Sequence, residues 1–433
     1  MGLANLGAFS IVFTDSVMIA WLGREEFIGV SFGVLVYAVL LQFGLGCSYI
    51  VAPQISEAIG RNLEYRSRAT TRETLQLSLI YSVLATPLIY FGYIPLMAFL
   101  DQFVFAGHTA TYLSIVCLAI VPQMLFVVVG ENCVGHGKSQ IVLLGTAFAV
   151  SSNFILNYLL IFKFDYGVAG VAASTVLTSV FSLLFVAGLS RKLLSLGGSL
   201  AGQGPLRRAI RSRLIRLALP LGFLEVLLFF LFAQTTVLVG ITDASFLPAH
   251  LIVFQITEGV VLVFFGFGEA LATKIAFYKG KGNLADIARL INLSYVISAF
   301  LGFVCAIVLF TFSDLIFDLY ARGKDEFADA GAKFHDLIGL GILLVVVQSF
   351  QVMLISALRG FGDTRYSTIV SVLSLGLIGL GGGALSAHFF GGGAFSVWIC
   401  LNVATLLIAG LCLYRLDSVF SRFRSRKSAP VHK

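Results

Sequence analysis

The sequence predicts an all-α integral membrane fold, with twelve transmembrane helices arranged as two six-helix repeats around a central cleft. The first observation behind this prediction is composition: 58% of the 433 residues are hydrophobic and 12% are charged, whereas soluble domains carry about 25% charged residues. The second is a series of long apolar runs, and the third is an internal repeat. A chain with so few charges is expected to lie in a lipid bilayer.

The apolar runs have the length of membrane-spanning helices. A bilayer core about 30 Å thick is crossed by roughly 20 residues at the helical rise of about 1.5 Å per residue. The runs exceed a barrel strand in length and lack its two-residue alternation, which leaves helices as the spanning form. We predict spans near residues 2–22, 27–53, 75–100, 111–134, 140–162, 168–189, 217–241, 249–273, 292–317, 335–358, 367–390 and 394–414.

The two halves of the chain carry matching motifs about 220 residues apart. Gly-Leu-Gly at 44–46, near the end of the second span, is matched by Gly-Phe-Gly at 266–268, near the end of the eighth. The turn at 135–139 after the fourth span is matched by the turn at 360–364 after the tenth. Two copies of a six-helix unit, with a binding site between them, are a common plan of secondary transporters.

The distribution of basic residues predicts the orientation of the spans. With twelve spans, 24 of the 29 Lys and Arg residues fall on the side that holds both termini, and the other side holds five. The positive-inside rule then places both termini in the cytoplasm. Basic cytoplasmic loops also account for the net charge of +7, so no nucleic-acid partner is expected.

The predicted spans and the distribution of basic residues divide the chain into four parts. Residues 1–190 form an N-terminal six-helix bundle and residues 217–416 form a C-terminal one. A basic cytoplasmic linker over 191–216 joins them, and a basic cytoplasmic tail over 417–433 lies against anionic head groups. We expect no cleaved signal. The first span is short and lacks the proline of its counterpart, so either the true start lies upstream or the helix is a genuine variant.

Motifs of other protein classes are absent from the sequence or incomplete in it. The six cysteines form no CxxC pair and the six histidines no HExxH motif, so we expect neither a metal site nor a cofactor. Gly137-Lys138-Ser139 resembles the end of a phosphate-binding P-loop, but Asn132 stands where that motif requires its first glycine. We therefore expect an ion gradient, of protons or sodium, as the energy source, and we do not expect an enzyme.

Carboxylates that interrupt the apolar runs are the candidate functional residues. A charge at mid-bilayer costs about 2.5 to 3.5 kcal/mol on insertion scales, so each needs a partner, a water-filled cavity or a bound cation. For each of them a transport role competes with a structural, hydrogen-bonded role. Four of them lie deep in predicted spans, namely Asp15, Glu225, Glu258 and Glu269. Three lie near helix ends, namely Glu131, Asp314 and Asp363.

Five features, in order along the chain, resemble the multidrug and toxic compound extrusion (MATE) family. Together they cover the chain from about residue 5 to residue 415. They are Phe-Thr-Asp-Ser-Val around Asp15, the pair Asn153 and Asn157 in the fifth span, the run from Gly167 to Thr175, the segment from Leu217 to Glu225, and the turn from Leu358 to Thr364.

The resemblance implies an antiporter that exports organic, often cationic, compounds in exchange for protons or sodium ions. Asp15 matches a first-helix carboxylate that one branch of the family uses, with residues of the fifth span, as its ion site. Asn153, Asn157 and Thr175 match the polar partners of that carboxylate. That branch has an aspartate where Asn157 stands, so the N-terminal half of this chain holds one charge fewer.

Other positions resemble other branches. Glu225 and Asp363 match acidic residues that another bacterial branch uses for its cation in the C-terminal half, and Glu258 resembles an eighth-helix glutamate of eukaryotic members. From the residues we expect two polar pockets facing the cleft, one around Asp15 and one formed by Glu225 with Glu258. An ion that neutralises such a carboxylate weakens its hold on a cationic cargo, so ion and cargo compete.

The predicted function is secondary active efflux of small organic compounds across the plasma (inner) membrane, by alternating access in a monomer. The nearest alternative is a flippase or exporter of a lipid-linked saccharide or another metabolite on a related fold. That function would favour a cationic cavity, whereas the predicted spans hold acids and no Lys or Arg. A gated channel is a further alternative, which fixed ion-to-substrate exchange would exclude.

Overall fold

The structure is a computed structural model that describes residues 7, 10, 11, 14, 15, 18, 19, 22, 24–100, 106–191, 193, 204–321, 330–391 and 393–428. Every regular element within these ranges is a helix. Eleven helical stretches in the described ranges are long and apolar enough to cross a bilayer, and they match the second to twelfth predicted spans. The first predicted span, residues 2–22, lies largely outside the described residues.

The chain forms two compact units, Leu3–Val226 and Leu227–Lys433. The helices of the first are α1 (Arg24–Ser48), α2 (Val51–Gly60), α3 (Glu64–Leu100), α4 (Ala106–Val116), α5 (Ile120–Gly135), α6 (Ser139–Asn157) and α7 (Gly167–Ser190). Helix α8 (Gly204–Thr242) passes from the first unit into the second. The second unit continues with α9 (Leu247–Lys281), α10 (Leu284–Thr311), α11 (Ser313–Ala321), α12 (Ala330–Phe361), α13 (Thr364–Leu373), α14 (Gly383–Phe390) and α15 (Gly393–Ser428).

Each unit has its own hydrophobic core. Because lipid tails are as apolar as these side chains, close packing holds the helices together more than removal from water does. In the first unit, α1, α3, α4, α5 and α7 contribute Val30, Ala85, Leu113, Ile120 and Ala172. In the second, α9, α10, α12 and α15 contribute Ile275, Ile287, Leu358, Ile408 and Cys412.

The glycine turns that recur in the sequence make the same contacts in each unit. A Cβ added to Gly135 would lie 2.9 Å from Ile55 Cβ, and one added to Gly360 would lie 3.0 Å from Ile275 Cβ. Two residues after each of these glycines, a second glycine completes the turn: Gly137 with a φ of +74° in the first unit and Gly362 with a φ of +84° in the second. Residues with a Cβ rarely adopt this conformation. The sequence repeat is therefore a repeat of close helix packing and of turn geometry.

Each unit contains a π-helix, and the two π-helices begin at different distances from the glycine turn that precedes them. Tyr158–Lys163 follows α6, and Ser374–Gly382 follows α13. Both α6 and α13 begin directly after the recurring glycine turn, so the two stretches belong to equivalent helices of the repeat. π-Helices are rare and are often found beside functional residues.

The segment predicted as a linker, residues 191–216, becomes helical where α8 begins. Arg207 Nε and Arg211 Nε each lie 2.7 Å from a carboxylate oxygen of Glu73 on α3, whose side chain is fully buried. These ion pairs attach the start of α8 to the first unit, which extends to Val226. Composition alone could not show that these basic residues have buried acidic partners.

Two other helices extend beyond the predicted spans. Helix α3 begins at Glu64 and not near residue 75, and α15 continues to Ser428, through most of the predicted tail at 417–433. Both extensions are polar. Hydropathy marks where a helix stops being apolar, and the helix itself continues further.

Candidate functional site

Asp15 lies in one hydrogen-bonded cluster with Asn153 and Asn157. Asn153 Nδ2 donates to Asp15 Oδ1 at 3.1 Å, and Asn157 Nδ2 donates to the same oxygen at 2.5 Å. The two amides also contact each other, with 3.3 Å between Asn157 Nδ2 and Asn153 Oδ1. Both Asn side chains are buried and Asp15 is half-buried. The structure thus brings together the three residues that the sequence places in one pocket.

The local structure of α6 explains why the two amides act together. Asn153 and Asn157 are four residues apart and therefore lie on the same face of a helix. Asn157 is also the last α-helical residue, and the π-helix begins at Tyr158. The second amide thus stands at the junction where the backbone changes its hydrogen-bonding pattern.

The following helix contributes Ser174, which sequence reasoning missed. Ser174 Oγ donates to Asn157 Oδ1, and the Ser174 side chain is fully buried. Thr175, the predicted partner, donates instead to the carbonyl oxygen of Val171 on its own helix at 3.1 Å. Successive residues of an α-helix point about 100° apart, so one step along the Ala-Ala-Ser-Thr run decides which hydroxyl faces the cluster. Both hydroxyls can be read from the sequence, but the rotation of α7 about its own axis cannot.

The cluster holds one acidic group and no basic one. Asp15 accepts from two neutral amides and, among the residues that the structure describes, forms no ion pair with Lys or Arg. Neutral donors satisfy the hydrogen-bonding capacity of a carboxylate, but they bring no compensating positive charge. A cation that reached Asp15 would supply that charge.

Glu225 lies on α8, within the first unit and close to α1. A Cβ on Gly46 of α1 would lie 2.6 Å from Glu225 Cγ and 2.5 Å from the Leu221 carbonyl oxygen. The glycine therefore lets the two helices approach closely at the level of the carboxylate. Gly46 belongs to the recurring Gly-x-Gly motif, so one function of this motif in the first unit is to make room for α8.

Glu258 lies half-buried on α9, in the second unit. It is the neighbour of Thr257, whose side chain is fully buried and donates to the Phe254 carbonyl oxygen at 2.8 Å. The predicted pairing of Glu258 with Glu225 joins residues of different units and stays a prediction.

Asp363 forms an ion pair. Its Oδ2 lies 2.7 Å from Arg415 Nε on α15, and the Arg415 guanidinium lies 4.9 Å from the centre of the Tyr366 ring. The backbone N–H of Asp363 closes the glycine turn by donating to the Leu358 carbonyl oxygen. These contacts are the ones expected of a structural role for Asp363, because Arg415 compensates its charge in this structure.

The remaining acids of the spans differ in their surroundings. Glu131 is buried on α5 and Glu269 is half-buried on α9. Asp314 is 82% exposed and lies 3.2 Å from His335 Nε2. Within the described parts of the chain, no group of three or more His, Cys, Asp and Glu side chains is arranged to hold a metal ion.

The second unit lacks a counterpart of the amide pair. Counting from the equivalent turn glycines, Ile378 and Gly382 occupy the positions of Asn153 and Asn157. A small, mainly apolar pocket borders the π-helix that contains Ile378 and Gly382, lined by Leu231, Thr235, Leu375, Gly379, Leu380 and Leu401. The second unit has therefore kept the glycine turn, but it carries no amide at the two positions equivalent to Asn153 and Asn157.

A helical membrane fold of two repeated units with a carboxylate held among buried amides is that of a membrane transporter. The family model described as MatE matches residues 1–159 and 220–385. The chain thus belongs to the multidrug and toxic compound extrusion (MATE) family, and it is a transporter and not an enzyme. This confirms both the family resemblance and the fold class predicted from the sequence.

Two relatives match nearly the whole chain, and both are described as a probable multidrug resistance protein NorM. The protein from Bradyrhizobium diazoefficiens is 26% identical over 442 residues, covering 98% of this chain and 92% of its own length. The protein from Mesorhizobium japonicum is 26% identical over 425 residues, covering 96% of this chain and 91% of its own length. The similarity extends through both units.

Solved structures share the fold at lower identity. A crystal structure described as MATE in complex with MaD3S has a TM-score of 0.89 and 17% identity, covering 98% of this chain and 95% of its own. A crystal structure described as MATE in the bent conformation has a TM-score of 0.88 and 16% identity, covering 99% of this chain and 95% of its own. The eukaryotic MATE transporter AtDTX14 has a TM-score of 0.82 and 15% identity, covering 98% and 96%.

Proposed function

We propose that this protein is a multidrug exporter of the plasma (inner) membrane that exchanges protons or sodium ions for small organic, mainly cationic, compounds. The proposal is supported by membership of the MATE family and by relatives described as probable multidrug resistance proteins. The observation that carries it is the Asp15 carboxylate, held by two buried amides without a basic partner among the described residues.

The chemistry of coupling follows from that uncompensated charge. A proton or sodium ion at Asp15 neutralises the carboxylate and lowers the cost of moving it through a low-dielectric region. When the ion leaves on the cytoplasmic side, the restored charge attracts a cationic compound. Ion and cargo are exchanged by alternating access only if each binds one state of the carboxylate better than the other.

The polar residues divide into an ion site and a second acidic region. Asp15, Asn153 and Asn157 form the ion site, because a carboxylate inside a membrane segment marks an ion pathway or proton relay and the two amides hold this carboxylate in place. Thr175 stands one residue from the hydroxyl that contacts this site. Glu225 and Glu258 attract the cationic cargo, and Asp363 anchors the turn after α12 through Arg415. The transporter acts as a monomer with both termini in the cytoplasm.

Transport into inverted membrane vesicles tests this function. Uptake of a fluorescent organic cation is measured under an imposed proton gradient and then under a sodium gradient. Asp15→Asn, which keeps the shape of the side chain and removes its charge, is expected to lower gradient-driven uptake more than tenfold. Glu225→Gln is expected to weaken cargo binding, and thus to raise the cargo concentration that half-saturates uptake.

A matched control is available in the same chain. Asp314→Asn removes a carboxylate of the same type from an exposed position and is expected to leave uptake within twofold of the parent. Wild-type uptake in the Asp15→Asn variant would overturn the ion site, and uptake that neither gradient drives would overturn ion-coupled export.

A further inference from the structure

The Ser174 hydroxyl lies between two oxygen acceptors. Its Oγ is within hydrogen-bonding distance of Asn157 Oδ1 and 2.7 Å from the Val171 carbonyl oxygen. A serine hydroxyl has one proton to donate and two lone pairs with which to accept. It therefore donates to only one of these oxygens at a time.

The amide of Asn157 is oriented for a carboxylate that holds no cation. Its Nδ2 points to Asp15 Oδ1 at 2.5 Å and to Asn153 Oδ1 at 3.3 Å, while its own Oδ1 faces Ser174. The NH2 group thus occupies the position where both of those oxygens could meet a cation. A proton or sodium ion bound at Asp15 Oδ1 would be repelled by the NH2 group, whereas the amide oxygen would attract it. Turning the amide over places its oxygen toward an ion bound there.

Turning the amide over changes what it needs from Ser174. Nδ2 then faces the hydroxyl and requires an acceptor, and Ser174 Oγ can accept while it donates its own proton to the Val171 carbonyl oxygen. Both orientations leave the buried amide with a partner, as buried polar groups require. A side chain that could only donate or only accept would satisfy one orientation alone.

We propose that Ser174 is a positioning residue of the ion site, whose hydroxyl donates to Asn157 when the site is ion-free and accepts from it when the ion is bound. The inference rests on the proposed function, since it assigns how that same site responds to its ion. Loss of the hydroxyl should weaken ion binding, because a buried N–H without a partner is tolerated less well than a buried carbonyl.

Two substitutions of equal size isolate the hydroxyl. Ser174→Thr and Ser174→Val add the same bulk to a fully buried position, and only Thr keeps the hydroxyl. In the full-length transporter reconstituted in vesicles, Ser174→Val is expected to raise the ion concentration that half-activates transport by about tenfold. Ser174→Thr should stay within twofold. Ser174→Ala repeats the test without added bulk, in case both larger side chains prevent folding.

The half-activating concentration is measured for sodium at fixed pH and for protons in the absence of sodium. Ser179→Ala on the same helix is the control, since the Ser179 hydroxyl donates to the Thr175 carbonyl oxygen of its own helix at 2.7 Å. A role in packing alone would lower the maximal rate or the yield of protein and leave the half-activating concentration unchanged.

Ion-induced infrared difference spectra give a direct readout of the amide. The C=O band that disappears in Asn157→Ala is expected to shift when sodium or protons are added, as its oxygen moves from the hydroxyl to the ion. The shift should be retained in Ser174→Thr and lost in Ser174→Val. An identical ion dependence or an identical band shift in the two variants would overturn the inference.

Asp15→Asn separates this inference from the proposed function. If that variant loses ion-driven transport while Ser174→Thr and Ser174→Val behave alike, the ion site stands and only the role of Ser174 fails. If Asp15→Asn transports like the parent, the ion site and the role of Ser174 both fail.

Discussion

Asn157 satisfies three partners with a single amide group. It donates to Asp15 and to Asn153, and it accepts from Ser174. An apolar residue of the same size would leave the Asp15 carboxylate with one amide donor and the Ser174 hydroxyl with its backbone acceptor alone. A buried charge that loses a donor is more costly than a buried neutral group that loses one.

We therefore predict that Asn157→Leu lowers ion-driven uptake more than tenfold. Asn402→Leu is the matched control, because Asn402 is also buried and its amide donates to the carbonyl oxygens of Leu340 and Trp398. Both variants lose a buried amide, but the ion dependence of uptake should change only for Asn157→Leu. Equal changes in the ion dependence of the two variants would mean that the effect comes from lost packing or folding.

Close approach of α1 and α8 depends on glycine at the scale of secondary-structure elements. A Cβ at Gly46 would lie 2.5 Å from the Leu221 carbonyl oxygen and 2.9 Å from the Gly222 Cα. Backbone atoms cannot move aside as the end of a flexible side chain can. The helices would have to separate, and overpacking of this kind costs about 1–3 kcal/mol.

Gly46→Ala is thus expected to lower the thermal unfolding midpoint of the detergent-solubilised protein. Gly188→Ala on α7 provides the contrast, since a Cβ at that position meets nothing within 4 Å. There the gain in helix propensity, about 0.5–1 kcal/mol, should leave the midpoint unchanged or raise it. A Gly46→Ala midpoint equal to that of Gly188→Ala would show that the two helices are not in tight contact.

The attachment of α8 to α3 is the second feature at this scale. Glu73 is fully buried and pairs with Arg207 and Arg211, which are 28% and 43% exposed. Gln76 accepts from the same two arginines at 3.1 and 3.3 Å. One buried acid between two arginines attaches the start of α8 to α3.

Glu73→Gln should destabilise the protein by about 1–3 kcal/mol, less than a fully buried pair would, because water reaches both arginines. Glu64→Gln on the same helix is the control, since its pair with Arg68 is exposed and spans 3.5 Å. Exposed pairs contribute about 0–1 kcal/mol. Unfolding midpoints of the two variants, measured side by side, should fall clearly for Glu73→Gln and hardly for Glu64→Gln.

For the molecule as a whole, hydropathy and the repeated motifs carried most of the fold prediction. Apolar runs about 20 residues long mark spanning helices because the bilayer sets their length, and recurring glycines mark turns that only glycine fits. Neither signal reports on polar contacts between distant segments. The ion pairs of Glu73 with Arg207 and of Asp363 with Arg415 join residues far apart in the sequence, and both depend on tertiary structure.

The candidate site was predictable only in part, for the same reason. Asp15, Asn153 and Asn157 could be grouped because a buried carboxylate needs donors and because two residues four apart share a helix face. The choice between Ser174 and Thr175 depends on the rotation of α7 about its axis. The sequence of α7 has hydroxyls on several faces, so its pattern does not fix that rotation.

The placement of basic residues predicts the orientation of the whole molecule, and labelling of single cysteines tests it. Twelve spans put the connection after the fifth span outside and the end of α15 inside. Asp165 and Arg422 are exposed at these two places. A membrane-impermeant maleimide added to intact cells should therefore modify Asp165→Cys and spare Arg422→Cys.

Inverted vesicles should give the opposite pattern, with modification of Arg422→Cys and protection of Asp165→Cys. The parent protein provides the background, because its six cysteines are buried or half-buried within the spanning helices. If both positions were modified from the same side, the chain would have to cross the membrane an even number of times between the two residues. The positive-inside argument predicts an odd number, seven, so that result would contradict the orientation of the protein and the count of twelve spans together.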